Sequence, residues 1–172
     1  MKIAYIGLGL IVNIAMSYAL SVGEIPPDIT LDKTNGGTSQ GKTWHSNSLK
    51  GKVHTLLYMD PDKREDSKLL LDALNKLKHK KGDYTTVAIV NLAATWMPNF
   101  ILESKLKSKQ KELKNMEYVF DKKKYLVKKW HLEDDASNVF VLDKESRIIY
   151  AHSGKLMAND VIEILNKIDE AK

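Results

Sequence analysis

Thiol chemistry is the first reaction class to test against this sequence, and it fails because the chain contains no cysteine. Disulfide exchange needs a thiolate nucleophile, so the protein is not a thiol–disulfide oxidoreductase. Five histidines are present: His45, His54, His79, His131 and His152. None has a partner at His-x-x-x-His spacing. They read as surface or structural histidines, and no metal site and no cofactor is expected from them. Asp60, Asp62, Glu65 and Asp66 crowd one short stretch, with Lys63 and Arg64 among them. Hard cations take carboxylate oxygens, so a metal-assisted enzyme using the Asp60–Asp66 acids is one alternative. Helix capping is the simpler account, since acids favour a first helical turn. The stretch also lacks the calcium-loop pattern that ends in glutamate. There is no Gly-x-Ser-x-Gly elbow and no Walker-type loop. The sequence therefore names no catalytic residue.

Charge is the next signal. Residues 105–129 hold ten lysines against Glu112, Glu117 and Asp121, a local net of +7, whereas the rest of the chain from Leu20 onward has a net charge of −3. A solvated helix face accounts for this pattern. The functional readings are an anionic surface or acidic partner, or a regulator binding nucleic acid through Lys105–Lys129. Lysine without arginine or interleaved stacking aromatics disfavours nucleic acid.

The positioning elements follow from periodicity. Val53 to Met59 is an apolar run that reads as a buried strand, broken by Asp60-Pro61-Asp62. A helix is expected from about Asp66, with Leu70, Ala73, Leu74 and Leu77 on one face and Gly82 ending it. Tyr84 to Leu92, rich in β-branched residues, is a second central strand. Pro98 suits the first turn of a helix whose buried stripe would be Phe100, Ile101, Leu102, Leu106 and Leu113. Met116 to Phe120 is a short strand, and Tyr125 to Leu132 a short helix. Val139 to Leu142 and Ile148 to Ala151 flank a hairpin turn. A last helix starts near Asn159 as cap. Before all of these, Pro26-Pro27 makes Val22 to Leu31 extended, and Asn35-Gly36-Gly37 marks a turn or hairpin. The unit from Val53 to Leu92 requires a parallel pair, and the later hairpin is antiparallel. The fold class is α/β, thioredoxin-like, with a mixed β-sheet flanked by helices.

Particular residues carry that resemblance further. Gly51-Lys52 precedes the first central strand, and Val141-Leu142-Asp143-Lys144 ends a later one. Pro26-Pro27, Trp44 ahead of Leu49-Lys50-Gly51-Lys52-Val53, Tyr84-Thr85-Thr86 leading to Ile89-Val90-Asn91, and Lys128-Lys129-Trp130 with Leu132 complete the set. In their order these resemble the YtfJ family of exported bacterial proteins. The resemblance implies a thioredoxin-like fold with no assigned reaction, and no functional residue comes with it. Ser146 stands where such a hairpin more often has glycine. The thioredoxin redox motif would align with Lys63-Arg64-Glu65-Asp66, and its facing proline with Ser137. Neither half of that site is present.

The first 19 residues read as a signal peptide. Lys2 is followed by the uncharged run Ile3 to Met16, and cleavage would fall after Ala19 or Ser21. The competing account is an uncleaved anchor, because the run approaches a bilayer-spanning length. The expected domain is residues 22–172, periplasmic, with no stable membrane span after cleavage. The expected role is a redox-inactive binding or accessory module whose partner is an unknown periplasmic protein or an anionic surface. Its groove is expected near Asp60, Arg64, Asn91, Trp96 and Ser137. Trp96 would line that groove or serve the core or its rim.

Overall fold

Seven consecutive residues, Val53–Met59, are buried, and a strand covered on both faces belongs inside a sheet with other elements on each side. The computed structural model describes residues 19–77, 83–112 and 116–172 and places that strand centrally. In chain order the strands are β1 (Thr30–Leu31), β2 (Gly36–Thr38), β3 (Trp44–His45), β4 (Val53–Met59), β5 (Tyr84–Asn91), β6 (Met116–Asp121), β7 (Asn138–Leu142) and β8 (Ile148–Ser153). The α-helices are α1 (Lys68–Lys76), α2 (Asn99–Glu112), α3 (Tyr125–Trp130) and α4 (Ala158–Ala171). Six strands form one sheet in the order β2-β6-β5-β4-β7-β8, and β1 pairs with β3 separately. β4, β5 and β6 run parallel, while β7, β8 and β2 are antiparallel to their neighbours. This is the mixed sheet expected of the sequence.

Alternation along each strand divides the core in two. On one face Val53, Leu57, Ala88, Val90 and Val141 pack with Leu70 and Leu74 of α1, Leu106 of α2, and Ile164 and Ile168 of α4. On the other face Leu56, Tyr58, Ile89, Val119 and Phe140 pack with Leu126 and Trp130 of α3 and with Leu31 and Trp44 of the β1–β3 pair. The extended lead-in lies along β8. Gly23 N donates to Ile148 O and Ile148 N to Glu24 O, each at 2.8 Å.

Several elements depart from expectation for local reasons. The helix expected from Asp66 is preceded by a 3-10 segment, Pro61–Ser67, because Asp60 Oδ1 accepts from Asp62 N at 2.8 Å and tightens the exit from β4. Its expected end at Gly82 lies outside the described residues, and α1 stops at Lys76. In α2, Leu102 and Leu106 face the core, but Phe100 and Ile101 do not. A turn of 100° per residue rotates them away from the inward side. Leu113, the last member of that expected stripe, lies outside the described residues. Gly36 and Gly37 form β2 against β6 rather than a simple turn. A Cβ on Gly36 would stand 1.8 Å from Phe120 O, so that approach admits glycine alone. The cap of α4 is not Asn159; Asp160 Oδ2 accepts from Met157 N at 2.7 Å.

Two stability predictions follow from this packing. Ser146 has φ 66° and a buried hydroxyl without a partner among the described residues. Ser146→Gly removes both costs and should raise stability by about 1 kcal/mol in denaturant titration; a loss would contradict the assignment. His54 is buried, with Nδ1 3.0 Å from Lys52 O, and desolvation lowers its pKa from 6.5 to about 4. Above pH 6.5 the imidazole is neutral in both states, so its contribution is intact. Between pH 6.5 and about 4 the unfolded chain takes up a proton that the fold refuses, and up to about 3 kcal/mol is lost. Melting curves across that window should show this slope, and His54→Asn should flatten it.

Candidate functional site

Strand register determines which residues meet at the carboxyl end of the parallel strands. Met59 pairs with Val90, Asn91 with Asp121, and Tyr58 with Asn138. Asp121, Asn91, Asp60 and Ser137 therefore form a row across β6, β5, β4 and the entry to β7, and all four are buried. Ligands of open α/β sheets bind outside the carboxyl ends of the strands. Three of the five expected groove residues, Asp60, Asn91 and Ser137, are brought together here.

The row is largely occupied with internal bonds. The Asp121 carboxylate accepts N–H groups from Lys123 (3.1 Å), Tyr125 (2.9 Å) and Leu126 (2.9 Å), together with the Tyr58 hydroxyl (3.2 Å). It thereby satisfies the start of α3, whose first amides have no intrahelical partner. Burial, followed by the Asp121 charge, pushes the Tyr58 hydroxyl far up, so it stays protonated as a donor. Asn91 Oδ1 accepts from Ala93 N at 3.1 Å. Asp60 holds the 3-10 segment as described above. Its pKa is raised by burial, with Asp62 and Asp135 adding to the rise and the Asp62 amide and Lys124 opposing it. Ser137 Oγ has no partner among the described residues, and neither does Ser67 Oγ at the head of α1.

The rim of the row is charged. Lys124, itself at φ 52°, reaches Asp134 Oδ2 at 2.7 Å and Asp135 Oδ1 at 3.9 Å. The hydrogen bond to Asp134 raises the Lys124 pKa. Thr95 Oγ1 donates to Asp62 Oδ1 at 2.8 Å, joining the loop after β5 to the loop after β4. Arg64 and Trp96 sit in those two loops and point to solvent. The single described ion pair of Arg64 is with its neighbour Glu65, at 3.4 Å, and Trp96 is 86% exposed. The structure therefore divides the expected groove into a buried polar row and two exposed loop residues. It also removes Trp96 from the core.

Other arrangements read from the sequence separate in space. Asp60 and Asp62 bond to the protein itself, Glu65 turns to Arg64, and among the described residues no three His, Asp or Glu side chains gather as metal ligands. The basic segment is split: α2 packs on one face of the sheet and α3 on the other. A cleft of about 280 Å³ at the β8 side is lined by residues including Leu20, His131, Glu133, Phe140, His152 and Ser153. There the Ser153 hydroxyl donates to Glu133 Oε2 at 2.5 Å, while the His152 ring lies 3.3 Å from Lys155 O. At Lys63–Asp66, the segment expected from the sequence to align with a thioredoxin-type redox motif, the chain offers amine, guanidinium and carboxylate groups and no nucleophilic sulfur.

Asp121, Tyr58 and Lys124 were not legible as site residues. Asp121 four residues ahead of Tyr125 is a capping signal in retrospect, but a terminal strand acid has many uses. The Tyr58 contact spans 63 residues of sequence. Two substitutions separate structure from free polar surface within the row. Asp121→Ala leaves the Tyr58 hydroxyl and buried amides without an acceptor and should cost about 3 kcal/mol or more. Ser137→Ala removes a hydroxyl that bonds to nothing described and should cost less than about 1 kcal/mol or stabilise. Chemical denaturation of the two variants beside the parent measures both, and a reversed order would refute the division.

With this geometry in view, known proteins can be compared. The family described as "Bacterial protein of unknown function (YtfJ_HI0045)" matches residues 27–171. Uncharacterized protein YtfJ of Escherichia coli (strain K12) is 28% identical over 132 residues, covering 75% of this chain and 72% of that protein. A Haemophilus influenzae protein is 25% identical over 132 residues, covering 73% and 70%. Among solved structures, the exposed lipoprotein thioredoxin Etrx1 of Streptococcus pneumoniae superposes with a TM-score of 0.56 at 21% identity, covering 84% of this chain and 99% of that one. The thioredoxin domain of a Bacteroides vulgatus thiol-disulfide oxidoreductase gives 0.60 at 19% identity, covering 87% and 98%. A peroxiredoxin-like protein of Aquifex aeolicus gives 0.60 at 16% identity, covering 90% of each. At such identities the structural likeness establishes the fold alone. The domain is thioredoxin-like, contains no cysteine, and belongs to the YtfJ family of bacterial proteins.

Proposed function

We propose that this protein is an exported binding or accessory module built on a thioredoxin-like scaffold, with the redox reaction removed. The supporting observation is the state of the carboxyl-end row. Where a thioredoxin-type domain does its chemistry, this chain has the Lys63–Asp66 segment and Ser137, and Asp60, Asn91 and Asp121 are engaged in bonds that hold the loops. A site with fixed loops, a charged rim and no nucleophilic sulfur is suited to recognition. The two exposed residues that leave it, Arg64 and Trp96, are of the types that dominate binding energy at protein interfaces. The partner we assign to this end of the sheet is a periplasmic polypeptide.

Export rests on the leader, Met1 to Ala19, of which residues 1–18 lie outside the described set. The order of a basic residue, an apolar run and small residues supports it. Both parts of the proposal can be tested. Mature protein recovered from the periplasm should begin at Leu20 or Val22 by N-terminal sequencing; a cytoplasmic chain with Met1 intact would contradict export. A partner isolated from periplasmic extract should bind the purified protein directly, and Arg64→Ala and Trp96→Ala should each weaken it by roughly tenfold or more. Unchanged affinity in both variants would remove the groove from the proposal.

A further inference from the structure

Three large apolar side chains stand in solvent around the start of α2: Trp96 is 86% exposed, Phe100 74% and Ile101 36%. Folding leaves these groups unused, because Leu102, Leu106 and Gln110 form the inward side of the helix. The two leucines pack in the core, and Gln110 bonds Met116 O (2.6 Å) and Tyr118 N (2.7 Å). At 100° per residue, Ser104 and Ser108 continue the outward stripe behind Phe100 and Ile101. Lys105 and Lys109 fall on one flank of that stripe, and Lys107 and Lys111 on the other. All four are exposed. Lys107 lies 3.7 Å from Glu103, which also holds Lys122 at 3.1 Å, while Lys105, Lys109 and Lys111 pair with no described carboxylate. The outer face of α2 thus carries aromatic rings at its tip and a double row of cations along its length.

This composition fits the boundary between headgroups and acyl chains. Tryptophan favours that layer, lysine stems lie along apolar surface while their ammonium groups reach anionic headgroups, and each lysine near such a surface adds attraction. An acidic protein partner fits less well. Recognition of carboxylates in fixed geometry favours the arginine fork, and both arginines of the chain, Arg64 and Arg147, lie off α2. The Trp96 and Phe100 rings are also largely exposed. We propose that the Trp96–Ile101 turn and the lysine-flanked outer face of α2 dock on a bilayer rich in anionic phospholipid. Trp96 and Phe100 enter the headgroup layer, and Lys105, Lys107, Lys109 and Lys111 meet the phosphates. This goes beyond the polypeptide-binding reading: the two share Trp96, but the lysines and Phe100 stand outside the polar row and the readout below is lipid, so either can fail without the other.

The other two tryptophans, Trp44 and Trp130, are buried, so fluorescence changes on contact with vesicles report on Trp96. The full chain should be titrated with vesicles of phosphatidylcholine alone and of phosphatidylcholine with phosphatidylglycerol. The anionic vesicles should shift Trp96 emission to the blue, brominated lipid should quench it, and high salt should abolish both effects. Replacing Lys105, Lys109 and Lys111 together by glutamine should weaken binding roughly a hundredfold, about fivefold per lysine. Phe100→Ser should weaken binding by roughly tenfold while leaving the melting temperature unchanged, since its ring is exposed. Any leader contribution is common to all variants, so the differences between them report on Trp96, Phe100 and the α2 lysines. The proposal is overturned if emission stays unchanged, if neutral vesicles shift it equally, or if the lysine variant binds like the parent. Emission that responds to polyglutamate but not to vesicles would overturn it in favour of an acidic polypeptide.

Discussion

The buried carboxylate of Asp121 is the interaction on which the upper half of the domain depends. It lies at the end of β6, receives the Tyr58 hydroxyl from β4, and supplies the missing acceptors for the first amides of α3. A desolvated charge is tolerated only when surrounded by donors, and here four converge on it. The same bond set positions the Lys124 turn, which in turn holds the Asp134–Asp135 loop ahead of β7. Position and solvation are thus solved together. The residues that keep α3 against the sheet also decide what remains open at its carboxyl end.

That arrangement accounts for a thioredoxin-like fold in a chain that contains no cysteine. The fold requires two leucine- and valine-rich faces, to which the Lys63–Asp66 segment contributes no side chain, and a β4–β5 crossover, of which that segment is the first turn. Three bonds anchor that segment: Asp60 capping the 3-10 turn, Thr95 from the loop after β5 bonding to Asp62, and the Leu156 amide donating to Asp66 O at 3.0 Å. Polar side chains and main-chain groups therefore hold the loop in place without a disulfide. The loop is thereby part of the architecture of this end of the sheet.

Much of this was legible from the residues. The apolar runs Val53–Met59 and Tyr84–Asn91 are so rich in β-branched and aliphatic types that strand and burial follow together. Ser146 in a turn that prefers glycine foretold its left-handed backbone. By contrast, α2 misled, because Phe100 and Ile101 look like core residues until the phase of the helix is known. That phase is set by Gln110 reaching across to β6, a contact between a polar residue and main chain that periodicity does not register. Three of the four residues of the buried polar row were visible. Asp60, Asn91 and Ser137 could be placed from strand ends, but Asp121 and Tyr58 meet through strand order, which pairs segments far apart in sequence.

Strand order also governs how the chain can reach this structure. β4 is buried on both faces, yet one of its neighbours, β7, follows it by about 80 residues, Leu57 lying opposite Val139. Until β7 arrives, one edge of an apolar seven-residue strand stays open, the kind of segment that pairs with other chains. The domain therefore completes its core late, after nearly all of its sequence is available, and the interval before that is when a chaperone or a dilute environment matters most to its survival.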